Sequence, residues 1–347
     1  MKNSNIKKPL WLKLTIILLS VLLGISVLAG AFVAYVKIPV SEYYSNSKIA
    51  FEIPGLSSGF VPQGFCYDEK EDFFLLGGYM TDKSASTIYT VDKDSGKAIN
   101  SVRLYKDEDT IYNGHCSGIA FFEKYFYLSD GGDKCIYVFD YTSLKNCADG
   151  DKLVSIGTFS TGNVKPSCIT VSGSGSSAKL IIAEFYNSGD YETEDSHKIT
   201  TPAGDKNTAL AVQFSLTKYS NKSTFCIDKE PTRVYSLPSQ VQGLVLSGNN
   251  MFLSTSYGLA FSEILVYDVP KSSKGKIDIL GYKDVDLYYL DSASLTTSIK
   301  APPMSEEIVV LDNKLYINNE SASNKYIFGK FTGGQFCYVT YLSNYGL

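Results

Sequence analysis

From about residue 60 onward, short apolar runs alternate with turn-forming polar clusters, and no long segment carries helical periodicity. The fullest example is Met304-Ser-Glu-Glu-Ile308, followed by Val-Val-Leu-Asp-Asn-Lys-Leu-Tyr-Ile-Asn-Asn-Glu-Ser321. It reads as two strands joined by a tight Asp-Asn turn, with carboxylates opening the first strand and closing the second. The same design recurs upstream. Val61-Pro-Gln-Gly-Phe65 leads to an apolar strand ending at Tyr79, and His115-Cys-Ser-Gly-Ile119 to one ending at Asp130. Lys165-Pro-Ser-Cys-Ile169 leads to residues 180–186, and Gln240-Val-Gln-Gly-Leu244 to residues 251–257. A third strand is expected at residues 86–92, 135–140, 209–214, 262–268 and 325–330. A fourth is expected at 99–104, 152–159, 231–237 and 277–281 in the first four units. Four strands per unit, repeated every ~50–75 residues, predict an all-β chain folded as a five-bladed β-propeller, with six blades as the alternative. Either residues 49–54 or residues 336–341 should complete the last blade and join the ends of the ring.

The N-terminus departs from this pattern. Lys2, Lys7, Lys8 and Lys13 precede an uncharged run from Leu14 to Val36. About 20 helical residues cross a bilayer core, so the run predicts a transmembrane helix. The lysine asymmetry places residues 1–13 in the cytoplasm as a basic tail and the rest of the chain outside. A cleaved signal peptide is the rival reading, with Ala29-Gly30-Ala31 as its small-residue site. The apolar run continues past that site through Val36, which favours an uncleaved signal anchor at 14–36. A polar tether at 37–47 and a propeller domain at 48–347 then follow.

Composition narrows the partners. The net charge is −4, which offers no footprint for nucleic acid. The 26 tyrosines and the short β-branched runs suit strands. Seven cysteines without a CxxC pair read mainly as small core residues, and an odd count leaves at least one free thiol in a monomer.

Polar positions fall in phase across the units. The innermost strands carry Gln63, Ser117, Ser167, Gln242 and Glu306 at one level, then Gly64, Gly118, Cys168, Gly243 and Glu307 at the next. Glycine at that second level leaves room that Glu307 can occupy. The returning strands contribute Tyr79, Asp130, Glu184, Tyr257, Asn319 and Glu320, and His115 precedes the second inner strand. In a propeller these positions meet around one mouth of the central channel. Crowded carboxylates there can raise one another's pKa or hold Ca²⁺, and His115 can serve as a base. The candidate catalytic residues are therefore Glu306, Glu307, Glu320 and His115. The candidate ligand-binding residues are Gln63, Tyr79, Asp130, Glu184, Gln242, Tyr257 and Asn319. The long insertion after Glu184 is expected to cover the mouth as a lid bearing Tyr186, Tyr191 and His197. Residues 288–303 are read as a second long connection into the mouth.

Gly114-His-Cys-Ser-Gly-Ile119 and Val241-Gln-Gly-Leu244 resemble the inner-strand starts of gluconolactonase-like and strictosidine-synthase-like propellers. Pro303-Met-Ser-Glu-Glu-Ile308 with Asn319-Glu-Ser-Ala322 looks like the closing blade of membrane-anchored members of this secreted bacterial group. The resemblance implies a metal set of Glu, Asn and Asp and lactonase chemistry. This chain departs from it, with Gln63 and Gln242 at comparable strand starts and five units rather than six. The expectation that results is a membrane-anchored, extracytoplasmic propeller binding a polar small molecule or carbohydrate at its mouth. A glycosidase- or lactonase-type hydrolase, with Ca²⁺ possible, is one alternative, and a protein-interaction platform is the other.

Overall fold

The inner strands of the blades are buried on both faces, which explains why their sequence runs apolar rather than strictly alternating. In the computed structural model, which describes residues 9–218 and 224–347, five sheets stack as the blades of a propeller. In Phe73–Met80, Phe73 and Leu75 pack toward blade 2, while Phe74 and Leu76 pack toward blade 5. Five such apolar clusters fill the five inter-blade interfaces, so no blade has a core of its own.

Blade 1 runs Phe60–Asp68, Phe73–Met80, Thr87–Asp92 and Ala98–Tyr105 in antiparallel order. Blade 2 is built from Gly118–Phe122, Tyr125–Asp130, Cys135–Asp140 and Gly157–Ser160. The single strand expected at 152–159 is thus divided. Its first part, Asp151–Val154, pairs in parallel with the outer strand of blade 1, and its second part closes blade 2. Gly157, at φ 150°, lies at the break.

Blades 3 and 4 correct a second expectation. The hairpin Gly275–Ile279 and Tyr282–Tyr289 does not close blade 4. It joins the outer edge of blade 3 through a parallel pairing of Val234 with Leu287. Ile279, Val285 and Leu287 enter the apolar cluster between blades 2 and 3, which draws the hairpin there. The outer strand of blade 4 is Leu295–Ala301, inside the stretch read as a long connection. Only Ile299 and Ala301 of that strand are buried, so its Thr-Thr-Ser centre carried little strand signal.

Blade 5 closes the ring with both candidate strands rather than one of them. Ser305–Leu311, Lys314–Asn319 and Phe336–Tyr341 are its first three strands, and Ser47–Glu52 is its outermost. Residues 325–330, expected as the third strand, instead enter a 3-10 turn at Ile327–Phe331. The Gly329 N–H donates to the Ser321 carbonyl at 3.0 Å. A Cβ on Gly329 would lie 2.2 Å from the Ser321 backbone, so only glycine permits this close approach.

The N-terminal helix Leu10–Lys37 is long and apolar enough to cross a bilayer, a test that a signal sequence also passes. The stretch expected as a polar tether is helical (Ile38–Val40, then Ser41–Ser45) and buries Val40 and Tyr43 between blades 4 and 5. All seven cysteines are free, and five of them are buried.

The closing strand anchors this arrangement through Phe51, which touches Phe65 and Phe74 of blade 1. Truncating so large a buried ring costs about 3–5 kcal/mol. Phe51→Ala should therefore lower the urea midpoint markedly, and an unchanged midpoint would show that the ring does not depend on this closure.

Candidate functional site

At the axis the five inner strands crowd together. Their pairing slips by a bulge at residues 62–65, 166–168, 241–243 and 305–308. A Cβ on Gly118 would lie 2.5 Å from the Ile169 nitrogen, and one on Gly243 2.6 Å from the Glu307 Cα. Glu307 fills the space so left. Its Oε2 accepts the N–H of Phe65 and of Ile119, each at 3.4 Å, and the N–H of Ile169 from a third blade also contributes. Burial pushes its pKa well above the ordinary carboxylate range, against these hydrogen bonds. Its Oε1 has no hydrogen-bond partner among the described residues.

Glu307 divides the axis into two ends. At the end where the inner strands finish, an open cavity of about 590 Å³ is lined by Phe65, Tyr67, Ile119, Phe121 and Ile169, with Glu307 also on its wall. At the end where they begin lies the mouth expected from the sequence, and it is closed over. Glu306, Glu320 and Gln63 are all buried there. Gln63 Nε2 donates to Glu320 Oε2 at 2.9 Å, and the Asn318 amide donates to the Gln63 carbonyl at 3.0 Å. Burial raises the Glu306 pKa well above normal, and the nearby Glu320 and Glu307 raise it further. Glu306 Oε1 is also without a hydrogen-bond partner among the described residues. Burial pushes the Glu320 pKa up to about 7, held back by Lys325 and by the Gln63 hydrogen bond.

Lys325 roofs this acid pair. Its Nζ donates to the Tyr79 hydroxyl at 2.7 Å and lies 5.1 Å from the ring centroids of both Tyr79 and Tyr326. Burial raises the Tyr79 pKa to about 12. His115 stacks on Tyr79 with centroids 4.8 Å apart. Burial first, and then Lys325, lower the His115 pKa, so the imidazole is neutral at neutral pH.

The other expected residues serve different contacts. Glu184 is fully buried and bonded to His197 Nδ1 at 2.9 Å, with the N–H groups of Lys165 and Leu210 also donating to it. His197 itself is buried, so this pair anchors the insertion rather than lining the mouth. The exposed part of the insertion presents Tyr191 against Phe185, which in turn meets Tyr257. The Tyr257 hydroxyl donates to Asp190 at 2.6 Å. Asp130 accepts from the Asp133 N–H at 2.7 Å and interacts with the Tyr112 hydroxyl. The Asn319 amide donates to the Pro303 carbonyl, and its oxygen accepts from the Ser321 N–H. Gln242 is half-buried. Lys325 and Tyr326 were missed because their segment reads as a strand; Gly329, Gly333 and Gly334 are the signal that it is a loop.

Among the described residues, no group of three or more His, Cys, Asp or Glu side chains is placed to hold a metal ion.

No protein-family model and no curated protein sequence matches the chain. Among solved structures, glutaminyl cyclase from Myxococcus xanthus is similar at 9% identity, with 85% of this chain and 94% of that one covered and a TM-score of 0.42. BamB from Moraxella catarrhalis is similar at 11% identity, with coverages of 80% and 84% and a TM-score of 0.33. The nidogen/laminin complex gives 12% identity, coverages of 75% and 73% and a TM-score of 0.35. At these identities the likeness concerns architecture and carries nothing about ligand or chemistry.

The raised acids give stability a definite pH dependence. Glu320 has a folded-state value near 7 against an ordinary value of 4.5. Its contribution to stability is therefore complete below the ordinary value and is lost as pH rises through the folded one. The melting temperature should fall between about pH 5 and pH 8, and Glu320→Gln should flatten that fall. Equal slopes in wild type and variant would refute the assignment.

Proposed function

We propose that the propeller binds a polar small molecule, with hydroxyl- or amine-rich ligands such as carbohydrates favoured, at the mouth formed by Glu306, Glu320, Gln63 and the Lys325–Tyr79–His115 collar. The observation that supports this most is Glu306: a buried carboxyl with one oxygen that has no hydrogen-bond partner among the described residues, beside a second buried acid. Buried polar groups are normally satisfied, and a ligand bringing donors would satisfy this one. The Tyr79 and Tyr326 rings beside Lys325 offer flat surfaces for sugar faces. A membrane-anchored, extracytoplasmic placement is part of this reading and is supported by the apolar N-terminal helix.

A panel of neutral sugars, amino sugars and polyols, followed by titration calorimetry, tests it. Carboxylates accept more strongly once ionised, so affinity should rise as pH passes about 7. Glu320→Gln should weaken binding at least about tenfold, or ~1.4 kcal/mol, and remove that pH dependence. If ligands bind Glu306→Gln and Glu320→Gln as they bind the wild type, the site is elsewhere.

Hydrolysis is the second reading, favoured by one observation. Glu320 titrates near 7, where an acid is best poised to donate a proton. The short motifs similar to lactonase-type propellers point the same way. Chromogenic glycosides and lactones should then be cleaved by the wild type, and Glu320→Gln should bind them without turnover. Absence of turnover with all substrates would leave the binding role alone.

A further inference from the structure

The end of the N-terminal helix is packed against the propeller. Trp11 lies just before the apolar run and Tyr35 near its end; at 1.5 Å per residue they stand about 36 Å apart, enough to reach from one interface to the other. A helix so placed leaves Tyr35 at headgroup level on the propeller side. The helix end is itself docked. Val36 is buried, Val40 and Tyr43 are only 1% and 2% exposed, and both join the apolar cluster between blades 4 and 5. The chain passes from bilayer to blade without a free linker.

The contact point identifies which face is held there. The Tyr35 ring lies 6.3 Å from that of Phe261. Phe261 directly precedes the third strand of blade 4, Ser262–Asp268, at the end of the propeller where the mouth lies. From there residues 36–46 descend the side of the ring to Ser47, which pairs with Thr340 at the opposite end. The helix therefore leaves the domain beside the mouth.

The loops on that face are unusual for a surface in water. Leu259 and Phe331, in the mouth-end loops of blades 4 and 5, are 67% and 68% exposed, and Tyr191 and Tyr257 follow in blades 3 and 4. The other exposed large apolar side chains of the propeller are scattered singly, with Ile49, Ile99 and Leu295 on separate outer strands and Ile156 between two strands. Lys300, whose Nζ lies 4.5 Å from the Phe261 ring centroid, Lys325 and Lys330 supply positive charge among the protruding residues. Glu263, cross-strand from Lys300, and Asp190, bonded to Tyr257, offset part of this charge, so it is chiefly the apolar tips that match a bilayer surface.

We propose that the mouth-bearing face of blades 4 and 5 rests on the bilayer surface, with Leu259 and Phe331 inserted at the headgroup boundary. The inference depends on the helix serving as a membrane anchor. The chain has a single tryptophan, so a Trp11→Phe background is free of native signal. In that background, single tryptophans are introduced as Leu259→Trp, Phe331→Trp, Phe32→Trp and Lys70→Trp. The full chain is reconstituted in phosphatidylcholine/phosphatidylglycerol vesicles containing acyl-brominated lipid. Apolar residues at an interface reach ~5–10 Å into the boundary, so the 259 and 331 probes should lose about half their emission. The 32 probe should be quenched more, and the 70 probe, at the far end of blade 1, should not be quenched. Quenching at 32 without quenching at 259 and 331 would leave the anchor standing and overturn the apposition. Equal quenching at 70 and 259 would overturn it as well. No quenching at 32 would refute the anchor, and the apposition with it.

Discussion

The five inner strands approach the axis more closely than side chains normally allow, and the rest of the molecule is arranged around that constraint. Glycine at Gly64, Gly118 and Gly243 permits the approach, and the bulges at the same level turn backbone N–H groups toward the axis. Buried N–H groups need acceptors. One carboxylate, Glu307, meets groups from three blades at once. It acts as a keystone at the axis, and it separates a closed mouth from an open funnel.

The mouth is governed by the same scarcity of water. Three acids lie close together with Lys325 as the nearby cation that lowers the pKa of Glu306 and Glu320. The protonated state is therefore the resting state of at least part of the cluster. Any ligand that favours carboxylates must release protons as it binds, so occupancy and pH are linked at this site. Lys325 is held over the acids by the hydroxyls and ring faces of Tyr79 and Tyr326.

Much of this was legible in the chain. The repeat, the blade number and the convergence of Gln63, Glu306 and Glu320 follow from polar residues recurring in phase with apolar strands. What escaped reading was set by tertiary contacts. Leu295–Ala301 has two buried side chains and a polar centre, so pattern alone could not mark it as a strand. Residues 325–330 have strand-like composition, yet the fit of Gly329 against Ser321 bends them over the mouth. Glu184 occupies the aligned position of a mouth residue, but the insertion folds back and buries it against His197. The phase of a repeat places backbones; insertions decide which side chains reach the shared centre.

The outermost strand of the last blade comes from the beginning of the chain. Ser47 meets Thr340 across a sequence separation of 293 residues. During synthesis the first strand to emerge is therefore the last to find its partner. At ~5–20 residues per second it waits on the order of 15–60 s with an unpaired edge exposed. Closing so long a loop is also entropically slow. The docked segment at Val40 and Tyr43 shares this delay, since its cluster includes Ile317 and Leu342 of the last blade. Ring completion is thus a single late event that seats the helix end and closes the propeller together.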